Sequence, residues 1–161
     1  MRDCGHAVRV VGAGAIGGVV GGRLMQHGQE VVLVARRAHF EVLAAQGLRI
    51  DSPSGSEVLD VPVVARPHAV RWRADDVVVL CVKSQHTADA IAAIAASAAS
   101  HSTPIVCLQN GVTNELEALR FDNVYGATVM CPTRVPAARR GPRCTRRRSP
   151  GSSTSDGSPP A

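Results

Sequence analysis

The chain has 161 residues, enough for one domain with a true core and marginal for two, and with only four aromatics that core must be built from Val, Ala, Leu and Ile. Its charge of +5 is unevenly held: residues 1–133 carry 11 Lys+Arg against 12 Asp+Glu, and residues 134–161 carry seven arginines against Asp156. The near-neutral body gives no reason to expect a nucleic-acid partner, and no apolar run approaches the roughly 18 residues of a membrane span.

Along the chain, "AVRVVGAG" (7–14) has the apolar run of a buried strand leading into a tight turn. "AIGGVVGGRLMQHG" (15–28) predicts a helix closed by Gly28 in the usual C-terminal place. "EVVLVAR" (30–36) is a second strand, "RAHFEVLAAQG" (37–47) a helix ended by Gly47, and "LRID" (48–51) a third strand before the turn "SPSG". "VLDVPVVA" (58–65) reads as one extended segment, with Pro62 marking an edge or an irregularity. "DDVVVLCV" (75–82) and "TPIVCLQ" (103–109) are buried strands flanking the alanine-rich helix of residues 86–99. "TNELEALR" (113–120) is a short helix with Thr113 or Asn114 as its cap, and "NVYGATVM" (123–130) is a last strand. Apolar strands alternating with helices predict an α/β fold, a Rossmann-like doubly wound parallel sheet that binds ligands beyond its C-terminal strand ends.

Residues Gly12, Ala13, Gly14, Ala15, Ile16 and Gly17 form a G-x-G-x-x-G match between a strand and a helix. The first glycine allows the tight turn, the second lets backbone approach a pyrophosphate, and the third lets helix and strand pack closely. The helix start would face the phosphates with free N–H groups and the positive end of its dipole. An acid closing the second strand would bind the ribose 2′-OH of NAD; here Arg36 stands there, with Arg37 next to it. A guanidinium pairs with phosphate in fork fashion, so the expected cofactor is NADP(H), with Arg36 the stronger candidate because it directly follows the apolar run.

Lys83 and Asn110 close two further strands and should reach the same edge, where they could meet cofactor hydroxyls or substrate. His86 could line the pocket, whereas His6, His27, His39, His68 and His101 have no metal-ligand spacing and read as surface residues. Ser84 has no base and orienting group beside it, which leaves a hydrolase unsupported. The cysteines Cys4, Cys81, Cys107, Cys131 and Cys144 are scattered without a C-x-x-C pair, so neither a zinc site nor a disulfide framework is expected. The N-terminal segment passes into the glycine turn without the apolar core of a signal peptide, which reads as a cytoplasmic protein.

The motifs "VVGAGAIGG", "EVVLVAR", "VVVLCVKSQH" and "PIVCLQNGV", in this order and separation over residues 8–133, resemble the N-terminal NADP-binding domain of the ketopantoate reductase (2-dehydropantoate 2-reductase) family. The resemblance implies pyrophosphate on Gly12–Gly17, the 2′-phosphate on Arg36, and Lys83 and Asn110 near both cofactor and substrate. It implies NADPH-dependent reduction of ketopantoate, a small 2-keto acid, to pantoate on the route to pantothenate and coenzyme A. The family also carries a C-terminal helical domain with the lysine believed to donate the proton. That domain is absent from this reading, so no catalytic residue is assigned and the chain alone is expected to be a weak or inactive reductase. A non-catalytic NADP(H)-binding module and a related 2-keto acid reductase remain as alternatives. Self-association through the uncovered domain face is a further expectation.

Residues 1–133 are thus expected to form the NADP-binding domain, and residues 134–161 a disordered tail rich in Arg, Pro, Ser and Gly. Two readings of the tail stay open. One is a frameshifted remnant, because GC-rich coding DNA read out of frame yields mostly Arg, Pro, Gly, Ser and Ala. The other is a basic arm that binds phosphate with strong salt dependence.

Overall fold

The computed structural model describes residues 6–52, 55–111 and 113–133. The elements are β1 (Ala7–Val11), α1 (Ala15–Gln26), β2 (Glu30–Val34), α2 (Ala38–Gln46), β3 (Leu48–Ser52), β4 (Gly55–Leu59), β5 (Val63–Val64), β6 (Val77–Leu80), α3 (Thr87–Ala95), β7 (Ile105–Leu108), α4 (Asn114–Ala118) and β8 (Val124–Ala127). Six strands form one parallel sheet in the order β5-β2-β1-β6-β7-β8. Starting at β1, the chain winds outward first toward β2 and β5 and then, in the other direction, toward β6, β7 and β8. This is the doubly wound Rossmann-like topology, with its switch point between β1 and β6.

The continuous apolar runs have a simple cause. Adjacent residues of a strand face opposite sides of the sheet, and both sides are covered. Val10 and Leu33 pack on one side with Leu43 of α2 and Leu48 and Ile50 of β3. Their neighbours Val11 and Val34 pack on the other with Leu80, Ile105 and Ile91 and Ile94 of α3.

Glycines set the depth of α1. Gly17, Gly18, Gly21 and Gly22 are all buried. A Cβ on Gly21 would lie 2.7 Å from Leu33 Cδ2, and one on Gly22 would run into the Ile50 side chain. Each glycine costs helix stability relative to alanine, about 1 kcal/mol apiece, and close packing of the helix on sheet and hairpin offsets that cost.

Leu48–Ser52 is a strand as expected, but it pairs antiparallel with Gly55–Leu59 in a hairpin separate from the main sheet, Leu48 opposite Leu59 and Ser52 opposite Gly55. Two expectations need correction. The run 58–65 is not one extended segment. It divides at Asp60–Pro62 into the end of β4 and the short edge strand β5. Pro62 stands just before β5, where its missing N–H costs nothing, and its carbonyl accepts the Leu33 N–H at 2.8 Å. The alanine-rich helix also ends earlier than read, at Ala95. Residues 134–161, for which the sequence suggests a tail, lie outside the described residues.

At the N-terminal ends of the strands a buried ion pair joins β1 to the entry of β6. Arg9 and Asp76 are 3% and 0% exposed, with Arg9 Nη2 2.8 Å from Asp76 Oδ1. The Arg73 N–H donates to Asp76 Oδ2 at 2.8 Å, and Arg73 also pairs with Glu30 at 2.9 Å.

Candidate cofactor site

A cleft of about 470 Å³ opens at the C-terminal ends of β1, β2 and β6, at the switch point. Gly12, Ala13 and Gly14 form its floor. The Gly12 and Ala13 N–H groups both donate to the Val34 carbonyl, at 3.0 and 3.3 Å, which folds the chain back sharply after β1. Gly12 has φ +99°, and a Cβ there would lie 2.8 Å from Val82 Cγ1, so position and conformation both require glycine. Beneath the turn, a Cβ on Gly17 would collide with the Gly12 carbonyl and approach Cys81 Cβ at 3.0 Å.

Gly14 is different. A Cβ there would meet nothing within 4 Å, so this glycine faces open space. It occupies the N-cap position of α1, where no side chain caps the helix. The N–H groups of the first turn, formed by Ala15, Ile16 and Gly17, have no side-chain cap and follow directly on the cleft-lining Gly14, at the positive end of the helix dipole. That is an anion-binding geometry, and the residues fit the pyrophosphate of a dinucleotide.

The electrostatics of the cleft agree. Arg36, Arg66 and Lys83 line it together with His39 and His86, against one lining carboxylate, Asp89. None of Arg36, Arg66 and Lys83 forms an ion pair with a described residue. Arg37 does not line the cleft; it has φ +55° and starts α2, its carbonyl accepting the Phe40 N–H at 3.0 Å. His39, read from sequence as a surface residue, is half-buried, and its Nε2 lies 2.5 Å from the Ala13 carbonyl oxygen. Its helical position in α2 carries it back over the glycine turn, a long-range placement that no local sequence signal marks.

Lys83 and Asn110, expected to close β6 and β7, lie three and two residues past their ends, and the Ser84 hydroxyl next to Lys83 donates to the Asn110 carbonyl at 3.3 Å. Lys83 reaches the cleft, whereas Asn110 stands outside its lining residues. Asn110 Oδ1 accepts the Val129 N–H at 3.1 Å, and its side-chain amide NH₂ has no partner among the described residues. Below it lies a buried polar group that sequence reading missed. Gln109 Nε2 donates to the Val82 carbonyl at 2.6 Å and to Thr87 Oγ1 at 2.8 Å. Thr87 in turn donates to Asn114 Oδ1 at 2.9 Å. Of the two caps expected, Thr113 holds the N-cap position, and Asn114 is the first helical residue and an internal link.

Cys81 also lines the cleft, and burial pushes its thiol up to about 12. The Cys107 thiol is raised to about 11, chiefly by burial and further by the negative charge of Glu115. Neither cysteine is a thiolate nucleophile near neutral pH.

The strand order, the glycine turn and the uncapped helix end at the switch point define a Rossmann-like α/β domain. Comparison with known proteins narrows this further. The chain belongs to the family described as ketopantoate reductase PanE/ApbA, whose sequence pattern matches residues 8–154. It is 33% identical over 108 residues to the 2-dehydropantoate 2-reductase of Pyrococcus horikoshii, covering 67% of this chain and 34% of that protein. It is 39% identical over 106 residues to the 2-dehydropantoate 2-reductase of Mesorhizobium japonicum, covering 65% and 32%. Among solved structures, a PanE/ApbA family ketopantoate reductase from Ralstonia eutropha JMP134 superposes with a TM-score of 0.65 at 36% identity, over 76% of this chain and 40% of that one. D-mandelate dehydrogenase, solved with NADH and anilino(oxo)acetate, superposes with a TM-score of 0.68 at 25% identity over the same shares. The chain spans about a third of the length of these two curated relatives.

Proposed function

We propose that this chain supplies the NADP(H)-binding half of a reductase of small 2-keto acids, with 2-dehydropantoate as substrate and pantoate as product. The observation that carries the reading is the conjunction, in one cleft, of an open glycine turn at a helix N-terminus with Arg36 at the end of β2, where no acid stands. Gly12–Gly17 would hold the pyrophosphate and Arg36 the ribose 2′-phosphate. Lys83 would meet the ribose hydroxyls and the substrate carboxylate, and the Asn110 NH₂, without a partner among the described residues, would reach toward the substrate. When bound, NADPH supplies the hydride for the ketone; the chain binds and orients both partners. No residue here is assigned as the proton donor for the nascent alkoxide. By family resemblance that group belongs to the part of the relatives that this chain does not span, so the chain alone should turn over poorly. The proposed setting is the cytoplasm, in pantothenate and coenzyme A synthesis.

Isothermal titration with NADPH and NADH, beside Arg36→Ala, tests the reading. NADPH is expected to bind at least tenfold more tightly than NADH, and the variant to lose that preference. Equal binding of the two cofactors would refute NADP preference, and no binding of either would refute the cofactor site. The likeness to D-mandelate dehydrogenase favours a second reading, a related 2-keto acid as substrate. Assay with several 2-keto acids, once the chain is joined to the remainder of a family member, separates the two.

A further inference from the structure

Arg36 does not stand alone at its end of the sheet. β2 and β5 run parallel with Val34 opposite Val64, and the ladder continues one step further, the Ala35 N–H donating to the Val64 carbonyl at 3.0 Å. Counting two residues beyond that register from each strand gives Arg36 and Arg66. Both residues follow neighbouring strands, two positions past the last paired residues. Both line the same cleft as Gly14, both are exposed, and neither is paired with a carboxylate among the described residues.

The backbone at Arg66 is fixed in place. Its carbonyl accepts the Ala69 N–H at 3.0 Å and starts a short 3₁₀ turn over Pro67–Ala69. The Pro67 carbonyl accepts both the Val70 N–H at 3.0 Å and the Trp72 indole N–H at 3.2 Å. A turn locked by a proline and a tryptophan thus fixes the backbone of Arg66 at the cleft that Arg36 also lines. Like charges on one cleft repel, and together they suit an anion of more than one charge bound there.

We propose that Arg66 is the second cation of the subsite for the ribose 2′-phosphate, sharing that group with Arg36. The inference rests on the NADP(H) reading above and adds to it a specificity-determining residue from a different strand. A monoanionic or neutral ribose would leave the two arginines facing each other without compensation, so Arg66 selects for the 2′-phosphate as well as holding it. A stacking role on the adenine face would use the same side chain but would favour both kinds of adenine nucleotide alike.

The test uses the full chain and two fragments, adenosine 2′,5′-bisphosphate and 5′-AMP, titrated calorimetrically against the unaltered protein, Arg66→Ala, Arg66→Lys and Arg36→Ala. Arg66→Ala should weaken the bisphosphate about tenfold or more and leave 5′-AMP unchanged. Arg66→Lys should recover part of the loss as a point charge without the fork. The variant should also flatten the salt dependence of bisphosphate binding. An equal loss for both fragments would overturn the proposal in favour of adenine stacking, and no loss for either would overturn it outright. If Arg36→Ala removes the preference for the bisphosphate while Arg66→Ala does not, only this inference fails. If the unaltered protein shows no preference, the NADP(H) reading fails with it. Because Arg66 is exposed, its variants should keep the melting temperature of the parent, which excludes misfolding as the cause.

Discussion

Arg9 of β1 and Asp76 at the entry to β6 meet at 2.8 Å in the interior, at the opposite end of the sheet from the cofactor cleft. Arg9 Nη2 also donates to the Arg71 carbonyl at 3.3 Å, so this pair ties the first strand to the whole loop before β6. Removing one partner strands a buried charge. Asp76→Ala should therefore cost about 3–5 kcal/mol in urea unfolding, and an apolar replacement of both residues should cost much less. Cofactor affinity measured well below the unfolding midpoint should not change. A loss under 1 kcal/mol for the single variant would show the pair to be solvated.

The two ends of the glycine turn should respond oppositely to alanine. Gly14→Ala meets open space and has φ −73°, so it should change stability by no more than about 1 kcal/mol while weakening NADPH binding at least tenfold. Gly17→Ala meets the Gly12 carbonyl and should cost about 1–3 kcal/mol of stability. Thermal melts and titrations on both variants check this; stability losses of equal size would contradict it.

The buried thiol of Cys81 gives stability a pH dependence above neutrality. In the unfolded chain a thiol ionises near 9.0, whereas in the fold Cys81 keeps its proton to about 12. Between those values the unfolded state binds fewer protons, so stability should fall as pH rises from about 9 and be flat below it. Cys107, raised to about 11, adds to the same slope. Urea midpoints from pH 7 to 11 should show it, with a shallower decline in Cys81→Ala. A rise in stability across that range would refute the assignment.

Thr87→Val removes the hydroxyl at the centre of the Gln109–Thr87–Asn114 group. Asn114 Oδ1 loses its donor, Gln109 Nε2 loses one acceptor, and Gln109 Oε1 is already unpartnered in the interior. The expected cost is about 1–3 kcal/mol by chemical denaturation. A neutral substitution would mean that water replaces the hydroxyl.

Leu116 and Leu119 of the α4 segment are each 65% exposed, and Tyr125 of the neighbouring edge strand β8 is 56% exposed. Their burial between two copies of the chain is the expected route of self-association. Sedimentation should show a concentration-dependent dimer that Leu116→Glu shifts toward monomer. A monodisperse monomer at high concentration would rule it out.

Most of the sheet was legible because its strands are buried on both faces and so read as unbroken runs such as "VVVL" and "IVCL". Of the hairpin, β3 was read from "LRID" but β4 and its pairing were not, because all five β4 residues are exposed or half-buried and carry no strong alternation. Among the residues that line the cleft, Gly12, Ala13, Gly14 and Arg36 were named from local spacing. His39 and Arg66 could not be. His39 reaches Ala13 across 26 residues through the placement of α2, and Arg66 stands beside Arg36 only through the β2–β5 register. Asn110 was read as closing a strand but lies two residues beyond β7, and the course of the chain toward Val129, whose N–H its Oδ1 accepts, is a tertiary fact.

The glycine stripe along α1 has a consequence for how this domain could change over generations. The helix that presents its N-terminus to the cleft is seated on Leu33 and Ile50 with no side chains of its own to trim, so its position has little slack. Variation there would have to come in matched pairs, a larger residue on the helix with a smaller one on the hairpin. The arginines at the strand ends carry no such constraint, because both are solvent-facing. Side chains at the two strand ends can therefore change without disturbing the packing of α1, whereas the glycine turn and the helix seat cannot.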